Sequence, residues 1–142
     1  MSSLTYQNAY DFGQVLSDTT HYSQSVLIPT SPPTLKLSGQ GGWDPSTGAI
    51  DSPTTREALV AQIEQAFVNV QMVLKASKAS WQDVYLVRAY MVGQEDGIVE
   101  MFGEALKKWC PNHRPVLTGV EVKGLALEGM RVEIEVEALI KG

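Results

Sequence analysis

Few residues in this chain could do chemistry. The polar candidates are Glu133, Tyr22, Ser38, Thr118 and Glu121. A carboxylate can move a proton or balance a cation, and a phenol or hydroxyl can orient a bound group. Each also has a plain structural role: an exposed strand Glu, a packed Tyr, a hydroxyl closing a backbone contact. His21 and His113 lie far apart, and neither is spaced with a second ligand, so no metal site is expected. Cys110 follows a helix end whose dipole disfavours a thiolate, so it reads as a passive residue rather than a nucleophile. No Gly-x-Ser-x-Gly elbow, phosphate loop or dinucleotide fingerprint is present, and no cofactor is implied.

Glu133 belongs to the clearest element, a strand expected over 130–140. Val132, Ile134, Val136 and Ala138 fall on one face; Arg131, Glu133, Glu135 and Glu137 fall on the other. Three Glu on one face repel one another unless that face is wet or partnered. The apolar face must therefore pack on a core, and the acidic face must meet water, a partner or a ligand. A preceding strand over 115–123 carries Thr118 and Glu121.

The other elements follow from periodicity. Leu4 and Tyr6 allow a short edge strand, and 11–20 reads as loop. Val26-Leu27-Ile28 and Thr34-Leu35-Lys36-Leu37-Ser38 form a hairpin about the Ser31-Pro32-Pro33 turn. Gly39-Gln40-Gly41-Gly42-Trp43 then leaves little side-chain bulk, which either admits a ligand or makes a bulge around a bulky neighbour. A helix is predicted over 54–77, with Thr54 and Glu57 as a capping box and Leu59, Ile63, Phe67, Val70 and Leu74 as its core stripe; Gln62 and Asn69 lie off that stripe. A strand over 84–92, apolar on both faces, should be central. A second helix follows over 98–109. Helices on one face of a mixed sheet, an α+β arrangement, are expected.

The chain has 142 residues, 44% apolar and 19% charged, which suits one domain, 1–142, with 1–20 as a variable N-terminal segment. The net charge of −5 argues against a nucleic-acid partner. A single cysteine permits no internal disulfide. No apolar run approaches the roughly 18 residues of a membrane span, so neither a membrane partner nor a signal peptide is expected, and the expected location is cytoplasmic.

Several segments together resemble the Rid (YjgF/YER057c/UK114) family: Tyr22 before the first main strand, Leu37-Ser38-Gly39-Gln40, Asp44-Pro45-x-Thr47-Gly48, the Gln62-to-Asn69 helix, Val120-Glu121-Val122, and Val132-Glu133-Ile134-Glu135. The resemblance implies a chorismate-mutase-like mixed sheet with two helices on one face. It also implies a homotrimer in which three sheets close into a barrel, with small-molecule clefts between protomers. The implied chemistry is hydrolysis of enamines and imines. In that frame Glu133 orients water, Tyr22 lines the pocket, and Ser38-Gly39 supplies a hydroxyl and backbone contacts, with Trp43 as a further wall.

One family feature is missing. Active members carry an Arg that clamps the substrate carboxylate, in Pro-x-Arg-Ser/Thr; this chain reads Pro115-Val116-Leu117-Thr118, followed by Gly119. Arg114 lies three residues upstream, which on an extended segment points it to the opposite face. A cleft with Leu117, Tyr22, Trp43 and Glu133, with Thr118 and Gly119 also counted as substrate-binding, then suits a bulkier, weakly anionic imine or enamine, to be hydrolysed or steered through condensation or cyclisation. Other readings are a non-catalytic small-molecule-binding trimer and an endoribonuclease or translation inhibitor, the last disfavoured by the charge.

Overall fold

The computed structural model describes residues 3–141. One seven-stranded sheet organises the chain: β1 (Thr5–Gln7), β2 (Ser25–Ile28), β3 (Thr34–Leu37), β4 (Gln40–Gly41), β5 (Val84–Met91), β6 (Val116–Glu121) and β7 (Val132–Leu139). The spatial order is β1-β2-β3-β7-β5-β6, with β4 also pairing β7. Only β5 and β6 run parallel, because α3 (Ile98–Trp109) carries the chain back between them. The last strand, β7, lies at the centre, between β5 and the β3–β4 segment.

The alternation of β7 is realised. Val132, Ile134, Val136 and Ala138 are fully buried, and they pack with Leu59, Ile63, Phe67, Val70 and Leu74 of α2 (Arg56–Ala76). Trp81 stacks on Phe67 at 4.8 Å between ring centroids. Fully burying one such aliphatic side chain is worth about 1.5–3 kcal/mol. Strand β5 is interior in the sheet, but only one of its faces is buried: Val87, Ala89 and Met91 face the core, whereas Tyr85, Arg88 and Tyr90 stand on the open side.

Three details depart from the sequence expectations. Helix α2 is capped one residue later, by Thr55, whose hydroxyl accepts from Ala58 N–H at 3.1 Å; Glu57 falls in the first turn, where its charge suits the helix dipole. Gln62 and Asn69 are buried. Gln62 Nε2 donates to Gly129 O at 3.0 Å, and Asn69 Nδ2 donates to Gly41 O and Trp43 O, both at 2.8 Å. The Asn69 bonds fasten α2 to the chain leading out of β4 and the Gln62 bond fastens it to the loop before β7; Gly42 permits the first approach because a Cβ there would collide with the Gln62 carbonyl.

The third departure is an added helix, α1 (Asp11–Thr20), where a loop was expected. Its local pattern is polar, and its support is tertiary. Phe12 packs edge-on against Trp43 at 5.5 Å, Phe12 N–H donates to Pro45 O at 3.1 Å, and Gly13 lets the helix close on Gln24. No helix among the described residues is long and apolar enough to cross a membrane.

Candidate functional site

The open face of the sheet carries the acidic row. Glu137 accepts from Tyr85 Oη at 2.7 Å and lies 3.8 Å from Lys36 Nζ. Glu135 accepts from Tyr90 Oη at 2.8 Å, and Arg88 Nη1 lies 3.5 Å from both carboxylates. The repulsion of a bare Glu row is thereby answered for two of the three. Among the described residues, no donor reaches Glu133. Burial, followed by the charge of Glu135, pushes its carboxyl above the usual carboxylate range.

A β-bulge makes room for that carboxylate. Lys36 stands opposite Glu137 and Gln40 opposite Ile134, so four steps on one strand match three on the other. The irregularity falls at Leu37-Ser38-Gly39. A Cβ on Gly39 would lie 2.5 Å from Glu133 Oε1. Ser38 turns inward, its Oγ donating to Ser23 O and its N–H to Gln24 O, both at 2.8 Å. Those bonds hold the Tyr22-Ser23 segment against the bulge. Tyr22 is half-buried, and burial, then the nearby Glu133, push its phenol upward.

Glu133, Tyr22, Ser38 and Gly39 therefore come together within one protomer. Tyr22 and Ser38 also line a cavity of ≈ 400 Å³ with His21, Lys36 and Glu135. Lys36 was legible as a strand neighbour two residues from Ser38. His21 carries no sequence signal for this position; the left-handed turn ending α1 puts it there, with φ 60°.

The remaining expected residues lie elsewhere. Trp43 is 4% exposed and donates through Nε1 to Tyr10 Oη at 2.9 Å; it backs the site from the core. Tyr10 Oη in turn donates to Gln40 Oε1, and Gln40 Nε2 donates to Ser38 O at 3.2 Å. Leu117 and Gly119 stand opposite Val87 and Ala89, on the helix-bearing side of the sheet. Thr118 stands opposite Arg88, on the open side. Glu133 stands opposite Tyr90 on β7, with β5 between it and β6. Leu117 and Glu133 are thus two strands apart and on opposite faces.

Arg114 lies before the strand that carries Leu117. Strand β6 begins only at Val116, so strand alternation does not govern residue 114. Arg114 and Leu117 line one cavity of ≈ 530 Å³ beside α3. No group of three or more His, Cys, Asp or Glu able to hold a metal occurs among the described residues. Cys110 is buried, and desolvation pushes its thiol up to about 11, which suits a packed residue.

The fold and this carboxylate-bearing bulge define an α+β protein with helices packed on one face of a mixed sheet and a small polar site on the other. The sequence matches the family described as Endoribonuclease L-PSP over residues 13–140, and the chain belongs to that family, the Rid or YjgF/YER057c/UK114 proteins. It is 30% identical over 118 residues to human 2-iminobutanoate/2-iminopropanoate deaminase, covering 83% of this chain and 79% of the relative. It superposes with TM-score 0.76 on a YjgF/YER057c/UK114 family member from Mycobacterium tuberculosis, at 25% identity over 97% of this chain and 100% of the other. RidA from the Antarctic bacterium Psychrobacter aligns with TM-score 0.69 at 29% identity, over 84% and 88% of the two chains.

Proposed function

We propose that this protein processes imines or enamines in clefts formed between copies of itself, with Glu133 moving the protons. The observation that carries the reading is the Glu133 carboxylate, without a donor among the described residues, kept beside Tyr22 in space that Gly39 leaves open. A general base works best with its pKa near the working pH, and Glu133 is pushed in that direction. In hydrolysis, water oxygen bonds to the imine carbon as Glu133 takes its proton. Glu133 delivers that proton to nitrogen, giving a carbinolamine; it then takes the hydroxyl proton and passes it to the nitrogen as the C–N bond breaks, so that amine or ammonia leaves and a carbonyl remains. The 30% identity to a human imine deaminase supports this class of reaction.

The same geometry supports assembly. Leu117 and Gly119 face away from Glu133 within one protomer, so a site using both needs two copies, in keeping with a trimer of closed sheets. Leu117 in place of a charged clamp suits a bulky substrate without a carboxylate demand at the reacting carbon. Turnover of imines generated from amino acids and of neutral cyclic imines tests the proposal. We expect Glu133→Gln to lower kcat/KM at least 100-fold, in the range of lost general acid–base catalysis. Equal inactivity of wild type on both substrate sets, or full activity of the variant, overturns it.

The apolar Leu117 also favours a second reading, a trimer that binds a small molecule without transforming it. Ligand-dependent thermal stabilisation with no product formed would establish that reading. The ribonuclease of the family description is not adopted, because a chain of net charge −5 opposes phosphate binding.

A further inference from the structure

We propose that Glu135 is a positioning residue that occupies the Tyr90 hydroxyl and so leaves Glu133 free to take a proton from water. The inference rests on the reading of Glu133 above and adds the device that keeps its carboxylate open.

Register and hydrogen bonding disagree on the open face of the sheet. Along β5 and β7, Tyr90 stands opposite Glu133, and Arg88 stands opposite Glu135. Side chains directly opposed on one face of an antiparallel pair have Cβ atoms about 4.5–5.5 Å apart, closer than diagonal neighbours. By register, then, the phenol would serve Glu133. Tyr90 Oη instead donates one pair along, to Glu135 at 2.8 Å. Arg88 Nη1 leans the same way, reaching Glu137 as well as Glu135, each at 3.5 Å. Tyr85, displaced by the irregularity between Val84 and Leu86, gives its hydroxyl to Glu137 at 2.7 Å. These donors are all drawn toward the Glu137 end of the row. Glu133 stands at the other end, where no donor reaches it among the described residues.

The groups around Glu133 make that choice matter. It faces Glu135 on its own strand, Tyr90 on β5 and Tyr22 before β2. Arg131, two residues earlier on β7, is turned elsewhere: its Nε donates to Val92 O at 2.6 Å and its Nη2 to Asp96 Oδ2 at 3.0 Å. Lys36 pairs with Glu137 at 3.8 Å. Tyr90 is the donor that register brings opposite Glu133. Its bond to Glu135, then desolvation, push its phenol upward, and the charge of Glu133 adds to them, so Tyr90 lies within electrostatic range of both carboxylates. A phenol bonded to Glu133 would favour the ionised form and weaken it as a base. Arg88 fixes Glu135 where it holds the phenol instead.

Side-chain carboxyl titration by nuclear magnetic resonance on the full chain tests this without turnover, with the Glu133 signal assigned through Glu133→Gln. Glu135→Ala should free Tyr90 to turn to its register partner, and the Glu133 midpoint should fall. Part of that fall is the lost charge of Glu135, and a cycle with Tyr90→Phe separates the two parts. In the Glu135→Ala background, Tyr90→Phe should raise the proton affinity of Glu133 about tenfold, the equivalent of one charge-assisted hydrogen bond. In the wild-type background the same substitution should leave it nearly unchanged. Both positions lie on the open face, so the buried side of the sheet is untouched. A Tyr90→Phe effect that is the same in the two backgrounds overturns the proposal. If wild type turns over no imine, the reading of Glu133 as a base fails separately, and the titration still decides where the Tyr90 hydroxyl is held.

Discussion

The Glu133 carboxylate occupies the space that a side chain on Gly39 would need, with Oε1 2.5 Å from where a Cβ would lie. The obstructing atoms, Oε1, Cδ and Cγ, belong to one partly buried side chain that must turn as a whole, so Gly39→Ala should fold at a cost of about 1–3 kcal/mol, the range of overpacking. The carboxylate must swing aside to admit the methyl. Activity should therefore fall about 10- to 100-fold, since a 1 Å misplacement of a reacting group costs on that order. Parallel urea melts and steady-state kinetics separate the two effects.

Glu133 should cost the folded protein stability at neutral pH. Its carboxyl is pushed up in the folded state by burial and by Glu135, above the unfolded value of about 4.3. The protonated form is thus favoured by folding: the contribution is complete below about 4.3 and disappears as pH rises through the folded pKa. Glu133→Gln, which cannot ionise, should raise Tm at pH 8 and leave it nearly unchanged at pH 3. In kinetics, the acidic limb of wild-type kcat/KM, which reports the free enzyme, should lie above the ordinary carboxylate range, and Glu135→Gln should move it down. Thermal melts and rate profiles across pH check each direction.

Elements with a strong internal period were legible in the sequence. The α2 stripe from Leu59 to Leu74, the bounds of α3, the hairpin at Pro32-Pro33 and the two-faced strand around Glu133 needed only local pattern. What tertiary contact decides was not legible. Helix α1 depends on Phe12 meeting Trp43 and Gly13 meeting Gln24, residues distant in sequence. Trp43 was expected as a wall of the pocket, but it is 4% exposed and its indole N–H donates to Tyr10 Oη, which puts it in the core behind the site. The bulge reading of the glycine run holds: the ladder irregularity falls at Gly39, packed against Glu133, and Gly42 lets the chain pass α2.

The polar chain behind the site should be a stability element with a functional consequence. Tyr10 Oη accepts from Trp43 Nε1 at 2.9 Å and donates to Gln40 Oε1, while Gln40 Nε2 holds Ser38 O. Tyr10→Phe removes the hydroxyl and leaves the buried Trp43 N–H without that acceptor. An unsatisfied buried donor costs about 1–3 kcal/mol. Chemical denaturation should show a loss in that range. The slackened Ser38 carbonyl should also raise KM more than it lowers kcat, because Gln40 supports the bulge without reaching the reacting atoms.

Assembly can be tested at β6. All six of its residues are exposed, with Val116 at 64% and Val120 at 41%, and the strand ends the sheet. It carries neither Lys nor Pro, the residues that commonly protect an edge from pairing. Val120 stands opposite Tyr90, so it shares the open face with the acidic row. Val120→Lys puts a charge on a surface that a neighbouring copy would bury, and it touches no core residue. Light scattering should show wild type as a trimer and the variant as a monomer with unchanged far-ultraviolet circular dichroism. Because Leu117 and Glu133 face opposite sides of one protomer, the folded monomer should lose at least tenfold in kcat/KM. A monomer that retains full activity would place the whole site within a single chain and exclude the inter-subunit cleft.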